Sequence, residues 1–528
     1  MSSLSISRRT LLQAGVGAGL GVTLAGTGRR LTSPAFADLA RSQLRPLPDP
    51  KTSGLDHIVF LMMENRSYDH FLSWLPGGDG VRDQTFIDPD SGEAKVTENW
   101  GAAGRNDFHG CADGDPHHNW AASREQYLHG FAAGNNPDYA FAYYQPEDIP
   151  AVASLAAGFT AFDRYFCSVL GGTFPNRDYL VSGTSGGSTE NCLGPGVQCG
   201  GTDNEAGDTF DPIPQAGLGW PTVFDRLDAA GVSWRLYVHD LSTAFRFGER
   251  ILGSGNIFTF EQYLADCASG QLPQVAMVEP RFDNAYTGVG NDDHWPHDVR
   301  LGQKLISDAF NALATSSHWP NSAFILTYDE HGGFYDHIGK PPRTRDDRAN
   351  RTNLDLDHGQ LGFRVPTIVA SPFARRGFVG HAQYDHTSIL KLIEWRFRLA
   401  PLTRRDAAAR NLGETFQWDT PDTSIPDGIE RYSTNIVTGP ICPGGQPVFP
   451  DSLELPLDIP PIGPGNTGLT VAQARDLGHR PFAPAKTGTD HTLSAVFETG
   501  VFERMGWRLP FETAMGEVPA RIKKVVVR

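Results

Sequence analysis

Leu55-Asp56-His57-Ile58-Val59-Phe60-Leu61-Met62-Met63-Glu64-Asn65-Arg66-Ser67-Tyr68-Asp69-His70-Phe71 is the stretch on which the fold turns. Its apolar run, 58–63, stops abruptly at Glu64-Asn65. A run of that length with polar flanks reads as a buried strand. An acid and an amide at the end of such a strand are costly to bury unless they find partners. In α/β folds, the carboxyl ends of parallel strands are where ligands and metals collect. The stretch therefore reads either as two oxygen ligands on a rigid strand end, or as an ordinary strand end with a solvated Glu-Asn pair.

Further along the chain, strand-like runs occur at 232–238, 274–278, 322–328 and 365–370. The third runs into Asp329-Glu330, and Ser371-Pro372 closes the fourth. Residues 299–313 have helical spacing, and 386–399 reads as an amphipathic helix. Alternation of this kind predicts an α/β fold with a mainly parallel central sheet flanked by helices. The Gly/Asp/Asn-rich region 76–220 is too long for a simple connection, and is expected to build a substrate wall. Residues 38–53 form a polar, proline-bearing lead-in. Residues 438–468 read as a Pro/Gly-rich linker or extended wrap, followed by one short helix at 471–477 and a basic end at 521–528.

The 528 residues are 39% hydrophobic, 20% charged and 10% aromatic, an ordinary globular profile. A formal net charge of −16 argues against non-specific nucleic-acid binding, which runs on basic surface. A phosphate-processing site in such a chain needs local positive charge, most simply a metal. Ser7-Arg8-Arg9-Thr10-Leu11-Leu12 is a twin-arginine pattern. A weakly apolar stretch at 14–26 and Ala35-Phe36-Ala37, a small-x-small cleavage site, follow it. Residues 1–37 are thus expected to be a signal peptide read by the twin-arginine export machinery, with the mature protein periplasmic, cell-surface or secreted. No later apolar run approaches the roughly 18 residues that span a bilayer. The mature chain is expected to be soluble or peripheral, with the basic end as one membrane contact. Of the six cysteines, none forms a zinc pattern; Cys192/Cys199 is the favoured disulfide.

Three further elements carry chemistry. In Gly171-Gly172-Thr173-Phe174-Pro175-Asn176-Arg177, the glycines let the backbone bring a hydroxyl close to a ligand. Asn176 and Arg177 follow at a spacing that cradles an anion, arginine offering a planar fork to phosphate oxygens. The alternative is an exposed Gly-Gly turn entering a helix with proline near its first position. In Thr327-Tyr328-Asp329-Glu330-His331-Gly332-Gly333, two adjacent acids look like ligands. They can share one ion only if the strand has already broken, because neighbouring strand residues point to opposite faces; otherwise this is an acidic turn. Asp115-Pro116-His117-His118-Asn119-Trp120 and Asn291-Asp292-Asp293-His294-Trp295-Pro296-His297-Asp298 supply imidazoles. A phosphoester leaving group needs a proton, and a positioned acid contributes about 10²–10⁴-fold.

Together these patterns resemble the bacterial phosphoesterase family that holds the non-haemolytic-type phospholipases C and a group of exported acid phosphatases, relatives of the alkaline phosphatase and sulfatase superfamily. The resemblance runs over 54–415. It takes in Trp220-Pro221-Thr222-Val223-Phe224-Asp225-Arg226-Leu227, Asp298-Val299-Arg300-Leu301-Gly302, Arg364-Val365-Pro366-Thr367-Ile368-Val369 and Asp385-His386-Thr387-Ser388-Ile389-Leu390. It implies an alkaline phosphatase-like fold with long insertions, a catalytic domain at 54–415 and a C-terminal extension at 416–528. It also implies roles. Glu64, Asn65, Asp329 and Glu330 would bind one divalent metal ion, calcium or a transition metal. Thr173 would be both metal contact and nucleophile. His118 and His294 would bind the phosphoryl group or protonate the leaving oxygen. Asn176 and Arg177 carry over as substrate-binding neighbours of the nucleophile, and His386, Asp336 and His297 as supporting residues. A divalent cation lowers the pKa of a hydroxyl and offsets phosphoryl charge, and an all-oxygen ligand set suits a hard cation.

The activity so implied is hydrolysis of a small-molecule or phospholipid phosphoester through a phosphothreonine. Phospholipase C-type diester cleavage is favoured by the threonine, with an acid phosphatase as the alternative and a non-catalytic phosphoester-binding protein as the reading from another class. Thr173-Phe174-Pro175-Asn176-Arg177 is also similar to the sulfatase Cys/Ser-x-Pro-x-Arg motif, but threonine cannot become formylglycine. Trp120, Tyr139, Phe141, Tyr143 and Tyr144 are candidates for an aromatic cage around a quaternary ammonium headgroup.

Overall fold

The computed structural model describes residues 33–429 apart from 110–114, 135, 190, 192–216, 240–241 and 283–289. The twin-arginine stretch, the Cys192/Cys199 pair, the 438–468 linker, the 471–477 helix and the basic end all lie outside the described residues.

The body is organised on an eight-stranded sheet. Its strands are β1 (His57–Met63), β2 (Thr160–Phe162), β3 (Trp234–Val238), β4 (Ile257–Thr259), β5 (Val275–Val278), β6 (Ser322–Tyr328), β7 (Thr367–Ala370) and β8 (Phe378–Gly380), in the spatial order β8-β2-β7-β6-β1-β5-β3-β4. Every pairing is parallel except those of β7, which runs antiparallel to both β6 and β2. The expected mainly parallel sheet is therefore the one found. β6 covers the run read from the sequence. β1, β3, β5 and β7 match theirs to within two residues at an end. All seven residues of β6 and six of the seven in β1 are buried, which explains their unbroken apolar character.

Helices cover the sheet. Those used below are α1 (Trp120–His129), α2 (Pro150–Gly158), α3 (Thr173–Ser182), α4 (Val299–Ala314) and α5 (Thr387–Phe397). α4 starts where Asp298 accepts a hydrogen bond from the Arg300 amide at 2.9 Å, the N-cap bond that satisfies one orphan donor of the first turn. No helix among the described residues is long and apolar enough to cross a membrane.

Region 76–220 does more than build a wall. Its apolar stretch 149–162 splits into α2 and β2, and β2 enters the central sheet between β7 and β8. Part of the expected C-terminal extension also belongs to the body. Phe416 is buried, and the Trp418 ring lies 5.3 Å from Phe373 and 5.2 Å from Trp395. A helix, Ser33–Gln43, runs into the lead-in from the segment before it, and Gln43 donates to the Val379 carbonyl at 3.0 Å.

Candidate active site

The site grows from the register of β1 and β6. Met63 pairs with Tyr328, so Glu64-Asn65 and Asp329-Glu330 leave the sheet side by side at its carboxyl edge. One more ladder bond follows, Asp329 N to Met63 O at 3.1 Å, and then both chains turn sharply. Asn65 takes φ +59°, and Gly332 and Gly333 take +63° and +73°. A Cβ on Gly332 would stand 2.2 Å from the Asn65 carbonyl oxygen, so only glycine fits that close approach. Asp329 Oδ1 accepts from the amides of Asn65 (3.0 Å) and Glu330 (2.7 Å), which holds the two broken strands together. Glu64, Asn65, Asp329 and Glu330 are each 1% exposed or less, so neither a solvated strand end nor an exposed acidic turn describes them.

α3 brings the hydroxyl. Gly171 and Gly172 are buried rather than exposed, and a Cβ on Gly171 would meet the Trp120 ring at 2.7 Å. Thr173 opens the helix, is sealed from solvent, and its Oγ has no hydrogen-bond partner among the described residues. Arg177 lies one turn further along the same face. Its Nε stands 3.2 Å from Asp329 Oδ2 and 3.4 Å from Glu64 Oε1, and its Nη2 donates to the Met62 and Met63 carbonyls at 3.3 and 3.2 Å. The guanidinium thus locks α3 beneath the ends of β1 and β6. The anion cradle expected of Asn176 and Arg177 takes a different form. Asn176 accepts from Val169 N at 2.9 Å and donates to the carbonyls of Val169, Gly171 and Gly172 at 3.2, 3.0 and 3.0 Å, so its amide staples the loop before Thr173. Arg177 faces the buried carboxylates.

His118 and His294 stand edge to face with ring centroids 5.5 Å apart. His118 Nδ1 donates to the Pro116 carbonyl at 2.5 Å, and His294 Nδ1 to that of Trp295. A carbonyl only accepts, so each neutral ring keeps its lone pair on Nε2. The Asn65 amide nitrogen is 3.3 Å from His118 Nε2, and its oxygen is 3.1 Å from both Glu330 Oε1 and Asp329 Oδ1. The same amide nitrogen stands 2.6 Å from His294 Nε2 and can donate to either lone pair; turned over, the amide would donate to the two acids and set its oxygen against Nε2, which is favourable only where that nitrogen carries a proton. Asn65 is therefore the group that touches both the acids and the imidazoles.

These residues fit a hard divalent cation. Neither Glu64 oxygen accepts a hydrogen bond from the described residues and the Thr173 hydroxyl is orphaned, so three buried oxygens stand beside the Asp329 and Glu330 carboxylates without hydrogen-bond donors. Burial, together with the Asp329 carboxylate, pushes Glu64 well up. Burial also raises Asp329, and it raises Glu330 to about 8. A second group lies alongside: Asp115, His118 and His294 place ligand atoms within 4.8 Å of one another.

Residues 55–400 match the model of the phosphoesterase family. The chain belongs to that family. It is a phosphoric ester hydrolase by membership. Over 422 residues it is 31% identical to non-specific phospholipase C1 of Arabidopsis thaliana, covering 72% of this chain and 74% of that one. Over 458 residues it is 31% identical to phospholipase C B of Mycobacterium tuberculosis, covering 74% and 82%. Among solved structures, a protein in the alkaline phosphatase superfamily from Vibrio parahaemolyticus aligns with 70% of this chain and 76% of its own at a TM-score of 0.31 and 10% identity. At such a score, the sheet order and register given above carry the fold.

Several side chains of this phosphoesterase act one layer behind the acids. His386 Nε2 donates to the Asp329 carbonyl at 2.7 Å, bracing the loop from below. Asp292, which the motif reading leaves without a role, accepts from the His294 amide at 2.9 Å and from His297 Nδ1 at 2.5 Å, while its carbonyl receives the Glu64 amide at 2.7 Å. Its position two residues before His294 was the available signal. Burial, with His118 beside it, drives the His294 pKa well down, so the ring is neutral at ordinary pH. Gln126 links His331 Nε2, at 2.7 Å, to the His117 carbonyl, at 2.5 Å, and no pattern in the sequence pointed to it.

Two expectations need correction. Asp336 lies in a separate ionic knot, 2.6 Å from Arg364, whose guanidinium also reaches Asp69 at 3.2 Å. The aromatic cage is not formed. Tyr139, Phe141 and Tyr144 are core residues. Arg66 donates to the Tyr139 hydroxyl at 2.8 Å, and the Tyr144 hydroxyl donates to the Asp107 carbonyl at 3.0 Å. Trp120 is covered by the Arg124 guanidinium at 3.3 Å, and Tyr143 lies 5.9 Å from that of Arg82. The five rings are spread over three separate apolar clusters, so they do not surround one common space.

Proposed function

We propose that this phosphoesterase is a metal-dependent phospholipase C-type phosphodiesterase that works through a phosphothreonine at Thr173. The observation that carries the reading is an orphaned, buried hydroxyl at the first turn of α3, one turn from the arginine that ties Glu64 to Asp329. Glu64, Asn65, Thr173, Asp329 and Glu330 would hold the cation, calcium or a transition metal. When bound, it neutralises phosphoryl charge and acidifies the hydroxyl.

The chain's own residues do the rest. The amino end of α3 presents its backbone dipole to the phosphoryl oxygens. Thr173 Oγ attacks phosphorus and the bond to the leaving alcohol breaks. The hydroxyl proton passes to an Nε2 lone pair of the His118–His294 pair and from there to the departing oxygen. Water then attacks the phosphothreonine, the same imidazoles take its proton, and the P–Oγ bond breaks as that proton returns to Thr173 Oγ. Asn65 orients both rings, and Asn176 holds the loop that places Thr173. The names of the relatives at 31% identity support a phosphodiester as substrate. Export by the twin-arginine route, with a mature chain beginning at Asp38, belongs to the same proposal; amino-terminal sequencing of the exported protein checks it.

The test is a substrate panel on the mature protein. Phosphatidylcholine and p-nitrophenylphosphorylcholine are expected to be cleaved and p-nitrophenyl phosphate left largely intact, with activity lost on chelation and in Thr173→Ala. Cleavage of the monoester alone would make the protein an acid phosphatase. No turnover in metal-replete protein would leave a phosphoester-binding protein.

A further inference from the structure

Thr85–Ile87 and Ala94–Val96 form a small antiparallel hairpin, with Thr85 opposite Val96, Phe86 opposite Lys95 and Ile87 opposite Ala94. Strand alternation puts Thr85, Ile87, Ala94 and Val96 on one face and Phe86 and Lys95 on the other. The usual polarity is reversed. The inward positions hold Phe86, which packs 5.4 Å from Phe141 and 5.9 Å from Tyr335, and Lys95, whose side chain is 12% exposed and bonds Asp138 at 2.9 Å. All four outward residues are exposed, Ile87 at 57% and Val96 at 52%. Five large hydrophobic residues among those described are exposed to a comparable degree, and two of them are on this one face. A one-residue slip of register would bury them, so their outward placement is a property of the pairing.

Phe86 ties the hairpin to an apolar cluster whose Phe363 ring lies 4.6 Å from that of His331, the residue after Glu330. The apolar cluster against which Phe86 packs contains Leu170, which precedes Gly171, and Tyr335, five residues after Glu330. Leu128, 52% exposed, lies three residues before Phe131 of the same cluster.

The face is too small for another protein. A stable dimer buries about 1,200–2,000 Å² in total, well beyond what four side chains on two three-residue strands supply. A lipid interface asks for no shape complementarity, and a few aliphatic side chains give it shallow, reversible attachment. Charge selects the kind of surface. The connecting turn, 88–93, carries the exposed acids Asp90 and Glu93 and no lysine or arginine, in a chain of net charge −16. Such a turn is drawn to the outward ammonium groups of zwitterionic lipids and repelled by an anionic leaflet.

We propose that the hairpin spanning 85–96 docks this enzyme on a zwitterionic phospholipid surface, with Ile87 and Val96 entering the headgroup layer beside the Thr173 site. The inference rests on the phospholipase reading above for its purpose, but its test is separate. The mature full-length protein is sedimented with vesicles of phosphatidylcholine, and with vesicles containing a large share of phosphatidylglycerol. The same is done for the double variant Ile87→Ser/Val96→Ser and for Ile87→Trp/Val96→Trp. Turnover of soluble p-nitrophenylphosphorylcholine is followed alongside.

The serine variant is expected to bind phosphatidylcholine vesicles about tenfold to a hundredfold more weakly, with soluble turnover unchanged. The tryptophan variant is expected to bind more tightly, which keeps the test open if the serine variant folds poorly. Anionic lipid is expected to weaken binding of the parent. Vesicle binding unaltered in both variants would overturn the proposal. So would a preference for anionic vesicles, which would point to the basic end 521–528, or a dimer that the serine variant abolishes. Loss of vesicle binding in the serine variant, with a parent inactive on the soluble diester, would uphold the docking surface while ending the catalytic reading.

Discussion

Arg177 Nε stands 3.2 Å from Oδ2 of Asp329, and both side chains are sealed from water. The pair joins the helix that opens with Thr173 to a strand that ends in acids. Because Arg177 also lies 3.4 Å from Glu64, a single guanidinium offsets carboxylates from two neighbouring strands. Arg177→Met should therefore destabilise the chelator-treated protein by about 3–5 kcal/mol, the usual cost of leaving a buried charge without its partner. Added divalent cation should return much of that loss, since it takes over the neutralisation. Urea unfolding with and without chelator measures both; an equal loss in the two conditions would reduce Arg177 to a packing role.

Thr173 makes no side-chain hydrogen bond with the described residues, so its removal should spare the fold. Thr173→Ala should melt within about 1 kcal/mol of the parent and lose on the order of 10⁴–10⁶-fold in kcat. Thr173→Ser, which keeps the hydroxyl, should retain turnover. Mass spectrometry of acid-quenched parent should find phosphate on the peptide containing residue 173. Undiminished turnover in the alanine variant would refute covalent catalysis at this position.

Gly332 lies against the backbone that aims Asn65. An alanine there meets the Asn65 carbonyl at 2.2 Å and must also adopt a φ of +63°. The cost should be about 1–3 kcal/mol, with a displaced Asn65 and weaker cation binding. Calorimetric titration of the metal-free variant checks the second effect; affinity equal to that of the parent would show that this turn does not set the ligand geometry.

His337 gives a pH dependence of stability away from the acids. Burial alone would lower its imidazole, but hydrogen bonds to Asp69 and Asp79 outweigh burial and hold it at about 9. Its Nδ1 is 2.6 Å from Asp69. The folded value exceeds the unfolded one of about 6.5. The contribution, on the order of 3 kcal/mol, is thus fully present below about pH 6.5 and is lost as the pH rises through 9. His337→Gln should flatten the parent's decline over that window. Denaturant unfolding at stepped pH provides the measurement, and identical slopes for parent and variant would rule out the assignment.

The sequence was informative where one element dictates its own pattern. β6 is fully buried and seven residues long, so it appears as a closed apolar run, and α4 has a regular helical repeat that an Asp298 cap begins. The acids and the hydroxyl were visible because each sits beside a strand end or a glycine turn, and the histidines because each lies in a short stretch rich in Asp, Trp and Pro. β2, β4 and β8 were not visible. Each has three residues, too few for a period, and β2 merges with α2 into one apolar stretch whose division depends on what packs against it.

Side-chain direction was equally hidden. Asn176 and Arg177 are adjacent in the chain, but the helix turns one back to its own loop and the other towards the acids. Tyr139 and Tyr144 are indistinguishable in sequence from cage residues until their neighbours are known. The amino-acid order by itself determined which strands end in acids and which residue types stand beside those ends. The tertiary structure alone decided which buried groups face one another, because desolvated charges take their partners from whatever distant segment the packing brings within about 3 Å.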